Sequence, residues 1–260
     1  MAIIELDLTK DVNANAAVYF EKAKKCRHKL KGAEEALAKS KEKLSQLLKK
    51  NSKELEKAEK EVKIEREKKW YEKFRWFISS EGFLCIGGRD ATSNEIIIKK
   101  HTEKNDIVFH TEAPGSPFFC IKTEGKKVNE DTLNETAIAT ASYSRAWKLG
   151  LGYLEVFYVN PEQVSKQAMS GEYIGRGAFM IYGKKNKISA QIGLAIGITK
   201  ESAIMGGALS AIKKNCEKYV EIRHGKEKAS KVAKQIQHFI GGDLDEIIRN
   251  LPSGGCELKK

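Results

Sequence analysis

Three side chains around one predicted strand are of the types that carry out hydrolysis. Asp106 precedes His110 by four residues and Ser116 follows it by six, and Ser, His and Asp together form the catalytic triad of many hydrolases. The context argues against that chemistry, because Ser116 lies in a Gly-Ser-Pro turn and no G-x-S-x-G elbow is present. We therefore expect His110 and Asp90 to orient a binding site, and we predict no catalytic residue and no enzymatic activity.

Sequence motifs for metals and nucleotide cofactors are absent. The five histidines contain no H-x-x-x-H pair, and the five cysteines, odd in number, contain no C-x-x-C, so neither a zinc site nor a disulfide framework is predicted. The glycine-rich stretches GGRD and GEYIGRG match neither the P-loop nor G-x-G-x-x-G. We predict no cofactor and no metal, and the cysteine pattern is typical of a reducing, cytoplasmic compartment.

Positive charge is the clearest chemical signal. The 260-residue chain carries 47 Lys and Arg against 35 Asp and Glu, a net charge of +12, with a pI of about 9.3. Residues 21–75 alone hold 20 basic and 11 acidic residues. This balance favours nucleic acid as the partner, ahead of an anionic membrane surface. No secretion signal is visible, and the apolar run at 188–198 is too short to span a bilayer, so no membrane partner is expected.

The candidate RNA contacts are polar, basic or aromatic residues at the ends of predicted elements, where a scaffold presents binding groups. They are Arg89, Asp90, Asn94, Lys99, Lys100, His110, Ser116, Lys122, Arg145, Lys148, Lys166, Tyr173, Arg176, Lys184 and Lys185. Within GEYIGRGAFMIYGKKN, basic residues alternate with aromatic ones, a pattern that suits single-stranded or looped RNA. On the predicted helix around 142–148, Tyr143 and Trp147 are four residues apart and are expected to face the core.

The elements that must position these residues begin with a long helical arm. Residues 3–8 alternate weakly and predict a short strand. Residues on a 4-3 spacing, apolar except for one serine, then follow at Val12, Ala16, Tyr19, Ala23, Cys26, Leu30, Ala33, Leu37, Ser40, Leu44 and Leu47. A sustained period of 3.5 residues is the pattern of a coiled coil.

A second arm helix is predicted to start at Asn51, because Glu54 completes a capping box. Its apolar stripe ends in the aromatic residues Trp70, Phe74 and Phe77. Together the two helices predict a long antiparallel coiled-coil hairpin.

From about Trp76 the pattern changes to short apolar runs between helical stretches, which indicates a mixed α/β globular domain. Strands are predicted at 83–86, 107–110, 118–122, 154–159, 179–182, 188–198 and 219–222. Helices are predicted at 90–100, 130–149, 226–239 and 243–250, with a partly helical stretch at 201–215. The predicted fold class is α+β, with residues 1–75 as strand and coiled-coil arm and 76–260 as the globular domain.

Six segments, taken in order, resemble the NFACT family. They are LDLTKDVNANAAVYFEKAKK, FRWFISSEGFLCIGGRDATSNE, DIVFHTEAPGSPFFCIK, TAIATASYSRAWKLG, VSKQAMSGEYIGRGAFMIYGKKN and LDEIIRNLPSGG. The likeness is to the C-terminal half of the family, the coiled-coil middle domain followed by the NFACT-R RNA-binding domain. The last segment is most similar to archaeal members.

The resemblance implies a role in ribosome-associated quality control. Such proteins bind a large ribosomal subunit that still carries peptidyl-tRNA, recruit charged tRNA and support untemplated tailing of the stalled chain. The implied partners are therefore large-subunit rRNA and tRNA. Because the family's NFACT-N domain is missing from this sequence, the sequence is either a piece of a longer chain or a stand-alone protein whose NFACT-N half is encoded separately and is then a further expected partner. By itself the chain is expected to bind the subunit without selecting tRNA.

Two other interpretations stay open at this point. The coiled coil could make the chain a protein-interaction scaffold. Alternatively, His110, Asp90 and Ser116 could belong to an enzyme that processes RNA or a nucleotide.

Overall fold

A computed structural model of the chain describes residues 5–9, 11–50, 66–113, 115–167, 175 and 177–259. The chain divides into two compact units, residues 1–65 and 66–260. All five cysteines are free. Within the described ranges, no helix is both long enough and apolar enough to cross a membrane.

The first unit is built on one long helix, α1, which spans Val12–Lys50. At 1.5 Å per residue its 39 residues extend about 58 Å. The preceding segment folds back onto its first turns: the Asn15 side chain accepts a hydrogen bond from the backbone of Asp7 at 2.8 Å, and the Tyr19 hydroxyl donates to the carbonyl of Glu5 at 2.6 Å. Residues 5–9 are irregular and turn-like, so the strand predicted over 3–8 does not form in its described part.

The helix predicted for the first arm is confirmed, and its leucines keep a seven-residue period along one side. Leu30, Leu37 and Leu44 are 61%, 56% and 57% exposed. They belong to the seam predicted for the coiled coil. The start of the second predicted helix falls on residues 51–65, outside the described part of the chain.

The second unit contains two principal antiparallel sheets. The strands of the first are β1 Arg75–Ile78, β2 Leu84–Gly87, β3 Ile107–Thr111, β4 Phe119–Lys122, β5 Tyr153–Val159 and β8 Asn186–Gln191. Their order across the sheet is β1-β2-β4-β3-β5-β8. A separate two-stranded ribbon consists of β6 Val164–Ser165 and β7 Met180–Ile181.

The second sheet has four strands, namely β9 Leu194–Thr199, β10 Ile204–Gly207, β11 Cys216–Glu227 and β12 Cys256–Leu258. Their order is β10-β9-β11-β12. The helices of this unit are α2 Ala91–Lys100, α3 Glu130–Ser142, α4 Arg145–Lys148, α5 Leu209–Asn215, α6 Ala229–Ile240 and α7 Leu244–Asn250. Helix α3 packs on β3, β5 and β8 and also contacts β9 and β10, so it lies between the two sheets.

Helix α3 can occupy this central position because its side chains are small and its polar groups are satisfied. The hydroxyls of Thr136 and Thr140 donate to the carbonyls of Thr132 and Thr136, at 2.8 and 2.7 Å. Glu135, only 2% exposed, accepts a hydrogen bond from the backbone of Ser80 at 2.8 Å. Buried hydroxyls and carboxylates are tolerated when each has such a partner.

The α+β fold class is confirmed, but the prediction is wrong where residues 70–77 were expected to end a helix. Trp70–Lys73 forms a 3₁₀ turn, and Phe77 lies in β1, where it is fully buried. β1 pairs with β2 along its whole length. Pairing and burial in the sheet outweigh the helical spacing of the aromatic side chains.

Two predicted elements are each divided in the structure. The helix expected over 130–149 stops after Ser142, because the Ser144 hydroxyl caps a new helix by accepting from the backbone of Ala146 at 3.1 Å. The strand expected over 188–198 becomes β8 and β9, with a turn at Gly193 whose N–H donates to the Ser142 hydroxyl at 3.0 Å.

Candidate nucleic-acid interface

Five of the predicted contacts line one cavity of about 460 Å³ in the second unit. We call it the arginine cleft. Its lining residues are Arg75, Gly88, Arg89, Asp90, Ala91, Asn94, His110, Gly115, Ser116, Pro117, Phe118, Tyr143, Gly177, Ala178, Phe179 and Ser253. The predicted contacts among them are Arg89, Asp90, Asn94, His110 and Ser116.

The wall of the cleft is formed by the start of α2 and the turn before it. Asp90 caps the helix by accepting a hydrogen bond from the backbone of Ser93 at 2.7 Å, and the hydrogen bonds from Ser93 lower the pKa of this carboxyl group. Asn94 accepts from the backbone of Phe118 at 3.0 Å, which ties α2 to the loop before β4. A Cβ atom on Gly88 would lie 1.8 Å from the Asn94 side-chain oxygen, so this position requires glycine.

Two arginines supply the positive charge of the cleft. Arg75 is 7% exposed; its guanidinium lies over the ring of Tyr143 and donates one long bond, 3.4 Å, to the carbonyl of Leu251. Arg89 donates through Nη2 to the carbonyl of Phe74 at 2.8 Å. Its buried Nε has no hydrogen-bond acceptor in the part of the chain that the structure describes.

The arginines repel one another. Burial, together with the positive charges of Arg75 and Arg249, lowers the pKa of Arg89 to about 10. In the described ranges, no carboxylate forms an ion pair with Arg75, Arg89 or Arg249. Arg89 is still charged at neutral pH, so an anion that entered the cleft would stabilise this cluster.

His110 contributes a neutral ring rather than a charge. Its ring is stacked on Phe118 with the centroids 4.0 Å apart, and burial lowers its pKa to about 4. Asp106 is bound elsewhere, in an ion pair with Lys122, and the Ser116 hydroxyl donates to the carbonyl of Pro117 at 3.3 Å. Asp106, His110 and Ser116 are therefore not arranged as a triad.

Three further predicted contacts lie close to residues of the cleft lining. A Cβ on Gly115 would lie 3.7 Å from Nε of Arg145, which places this arginine beside the turn. Lys166 donates to the carbonyl of Ala178 at 3.0 Å. Lys185 pairs with Glu112 at 2.9 Å, and the charges of both residues act on His110 of the lining.

The remaining predicted contacts are not gathered at the cleft. Lys99 pairs with Glu95 at 2.6 Å on the exposed side of α2, and Lys122 is held by its carboxylate partners near the other end of the sheet. Lys100, Lys148 and Lys184 are exposed. Tyr173 and Arg176 lie outside the described residues.

A second cavity of about 310 Å³ shares Arg89 with the arginine cleft. We call it the Trp70 pocket. It is lined by Lys68, Lys69, Trp70, Glu72, Lys73, Trp76, Arg89, Ile204, Glu246, Arg249 and Asn250.

Arg75, Tyr143 and Arg249 were not predicted from the sequence as members of the site. Arg75 was counted with the charge of the arm, although it interrupts the aromatic run FRWF. An arginine within a run of aromatic residues indicates that its guanidinium packs against aromatic rings. Arg249 is far away in sequence, and only the fold brings it near Arg89.

With this geometry in hand, comparison with known proteins gives the family. The sequence model of the NFACT protein RNA binding domain matches residues 73–183, a range that includes Arg75, Arg89 and Tyr143. The chain is also 44% identical over 205 residues to the archaeal Rqc2 homolog aRqcH of Methanocaldococcus jannaschii, covering 76% of this chain and 30% of that protein. This chain contains the RNA-binding domain of the NFACT proteins.

Eukaryotic proteins are also similar to this chain. It is 36% identical over 187 residues to the ribosome quality control complex subunit NEMF homolog of Drosophila melanogaster, covering 72% of the chain and 19% of the relative. The human ribosome quality control complex subunit NEMF is 37% identical to the chain over 178 residues, which cover 66% of the chain and 16% of the relative. The chain thus spans less than a third of the length of these curated relatives.

Among solved structures, the chain is similar to the C-terminal part of the fibronectin/fibrinogen-binding protein from Streptococcus suis. The TM-score is 0.40 at 15% identity, over 51% of this chain and 49% of that one.

Proposed function

We propose that this chain is an RNA-binding, non-enzymatic component of ribosome-associated quality control, which binds the large ribosomal subunit and tRNA on stalled nascent-chain complexes. The names of its relatives and the description of its matched domain support this role. The observation that carries the proposal is the arginine cleft, because Arg75 and Arg89 hold positive charge without a carboxylate partner among the described residues.

RNA phosphates supply the negative charge that these arginines lack among the described residues. A guanidinium binds phosphate oxygens through paired N–H groups. It is also more weakly hydrated than an ammonium, so its desolvation on binding costs less free energy. The start of α2 at Ala91 lines the same cleft, and the N–H groups of a helix N-terminus also favour anions. A net charge of +12 adds long-range attraction to a polyanion.

The two parts of the chain have separate roles in this proposal. Helix α1 is the basic arm that lies along rRNA and anchors the chain, and residues 66–260 form the unit that holds RNA in the arginine cleft. In this proposal an NFACT-N domain supplies tRNA selection. The proposed location is the cytoplasm, where ribosomes are found.

Co-sedimentation with purified large ribosomal subunits tests the proposal. The full chain is compared across a salt series with a Lys24→Glu, Lys25→Glu variant, whose two positions are exposed on α1. We expect binding that weakens steeply with salt, because phosphate contacts release counterions, and that weakens further in the variant. Failure of the wild-type chain to bind subunits at low salt would contradict the proposal.

A protein-interaction role for the arm is favoured by one observation. The base of α1 carries an apolar groove of about 600 Å³, in which Leu8, Val12 and Phe20 are 97%, 84% and 76% exposed. Contiguous apolar surface of this kind marks contacts between proteins. Subunit binding that resists both salt and ribonuclease would favour this second function.

A further inference from the structure

Trp70 is partly exposed to solvent and lines the Trp70 pocket. Its side chain is 47% exposed, whereas Trp76 and Trp147 are 5% and 0% exposed, and these are the three tryptophans of the chain. One face of the Trp70 ring is stacked on His101, with the centroids 4.5 Å apart and the planes 17° from parallel. This stacking holds the Trp70 ring in place, and His101 occupies only one of the two ring faces.

The carboxylates of the Trp70 pocket are already engaged. Glu72 accepts two hydrogen bonds from Arg66, at 2.7 and 2.6 Å, and Glu246 pairs with Lys68 at 2.7 Å. Of the basic groups that line the pocket, Lys73, Arg89 and Arg249 form no ion pair with any carboxylate in the described ranges. The pocket therefore combines an aromatic ring with an excess of positive charge.

The dimensions suit a small ligand. A volume of about 310 Å³ lies at the lower end of the range for small-molecule sites, which begins near 300 Å³. A cavity of this size admits one nucleotide and not a helical segment of RNA. Aromatic rings beside cations are the means by which proteins hold unpaired bases, since every base has a face that can stack.

We propose that the Trp70 pocket binds one unpaired nucleotide of an RNA strand, with its base stacked on Trp70 and its phosphate held by Arg89 and Arg249. This inference rests on the proposed RNA-binding function and specifies the class of RNA as single-stranded. A base inside a duplex is stacked on its neighbours and cannot reach the ring. Lys73, which also lines the pocket, supplies charge for an adjacent phosphate.

The test uses the full chain and two RNAs of equal length, a single-stranded oligouridine and a blunt duplex. Affinity is measured by fluorescence anisotropy of labelled RNA, and stacking by quenching of tryptophan fluorescence with unlabelled RNA. We expect Trp70→Ala to weaken binding of the oligouridine about tenfold, a value within the range for loss of one stacked base. Trp70→Phe keeps a ring, so it should retain most of the affinity while losing the quenching signal.

The matched control is Tyr153→Ala, which removes an aromatic ring that is 62% exposed and does not line the pocket. It should leave oligouridine affinity unchanged. Equal affinity for duplex and oligouridine, with no quenching and no effect of Trp70→Ala, would overturn the inference. Salt-sensitive binding to ribosomal subunits would persist in that case, so the proposed function would stand while the pocket assignment failed.

Discussion

The guanidinium of Arg75 lies 3.9 Å from the centre of the Tyr143 ring, and the Tyr143 hydroxyl donates to the carbonyl of Asn250 at 2.8 Å. One tyrosine thus connects β1, the end of α3 and the end of α7. The face of the Tyr143 ring attracts the guanidinium of Arg75 and so offsets the free-energy cost of burying this charge. The arginine cleft keeps its charge because an aromatic ring, and not a carboxylate, supports it.

Substitutions at Tyr143 should separate these two contributions. Tyr143→Phe removes the hydrogen bond to Asn250 but keeps the ring, so we expect a loss of about 1 kcal/mol in the free energy of unfolding and little change in RNA affinity. Tyr143→Leu also removes the ring, and we expect a loss of about 3 kcal/mol together with weaker RNA binding. Urea unfolding and RNA titration measure the two effects. Equal RNA affinities in the two variants would show that the ring does not support Arg75.

Loss of Arg89 should change the salt dependence of RNA binding. Arg89→Gln removes one phosphate contact, so we expect affinity to fall about tenfold and the slope of log affinity against log salt to decrease by about 1. The control is Arg223→Gln, an exposed arginine paired with Glu257 at 2.7 Å. An unchanged slope for Arg89→Gln would remove this residue from the interface.

Charge reversal at Lys184 and Lys185 should weaken binding without unfolding the domain. Lys184 is exposed, and Lys185 forms a surface ion pair with Glu112. Loss of this ion pair should lower the free energy of unfolding by about 1 kcal/mol or less. We expect the Lys184→Glu, Lys185→Glu variant to bind large subunits less tightly at every salt concentration. The variant Lys126→Glu, Lys127→Glu makes the same charge change in an exposed turn, and a similar loss there would indicate that only net charge matters.

His110 should make the domain less stable as the pH falls. Burial holds its pKa at about 4 in the folded state, below the ordinary value of 6.5. Between these two values the unfolded chain binds a proton that the folded chain does not, so stability is present above pH 6.5 and is lost as the pH falls towards 4. His110→Phe keeps a ring against Phe118 and cannot titrate.

Urea unfolding at pH 7 and pH 5 measures this contribution. We expect the wild-type chain to lose about 2 kcal/mol more than His110→Phe between the two pH values. Equal losses in the two proteins would mean that His110 is protonated in the folded state or is not buried.

Helices and strands with a regular residue pattern were predictable from the sequence, because the pattern lies within the element itself. The seven-residue steps through Leu30, Leu37 and Leu44 predict α1, and the start of α2 at Asp90 follows from a capping side chain that bonds three residues ahead. The short apolar runs that became β2 to β5 alternate with turn residues, which is enough to predict strands but not their order.

The arginine cleft could be predicted only in part, because it depends on contacts between distant segments. The GGRD turn, His110 and Ser116 were identified since polar residues at element ends are visible in the sequence. Arg75 was assigned to the arm, and its position is decided by Leu251 and Tyr143, which no local pattern connects to it. Trp70 was assigned to a helix for the same reason, as its spacing is helical and its partner His101 lies in another segment.

Arg89 lines both the arginine cleft and the Trp70 pocket, and this shared side chain couples the two sites. An anion in one cavity neutralises part of the charge that attracts an anion to the other, so two separate mononucleotides should bind with negative cooperativity. Successive phosphates of one strand behave differently, since the first contact raises the effective concentration of the second. The domain should therefore discriminate RNA by length, with short fragments competing for a single guanidinium and longer strands gaining avidity.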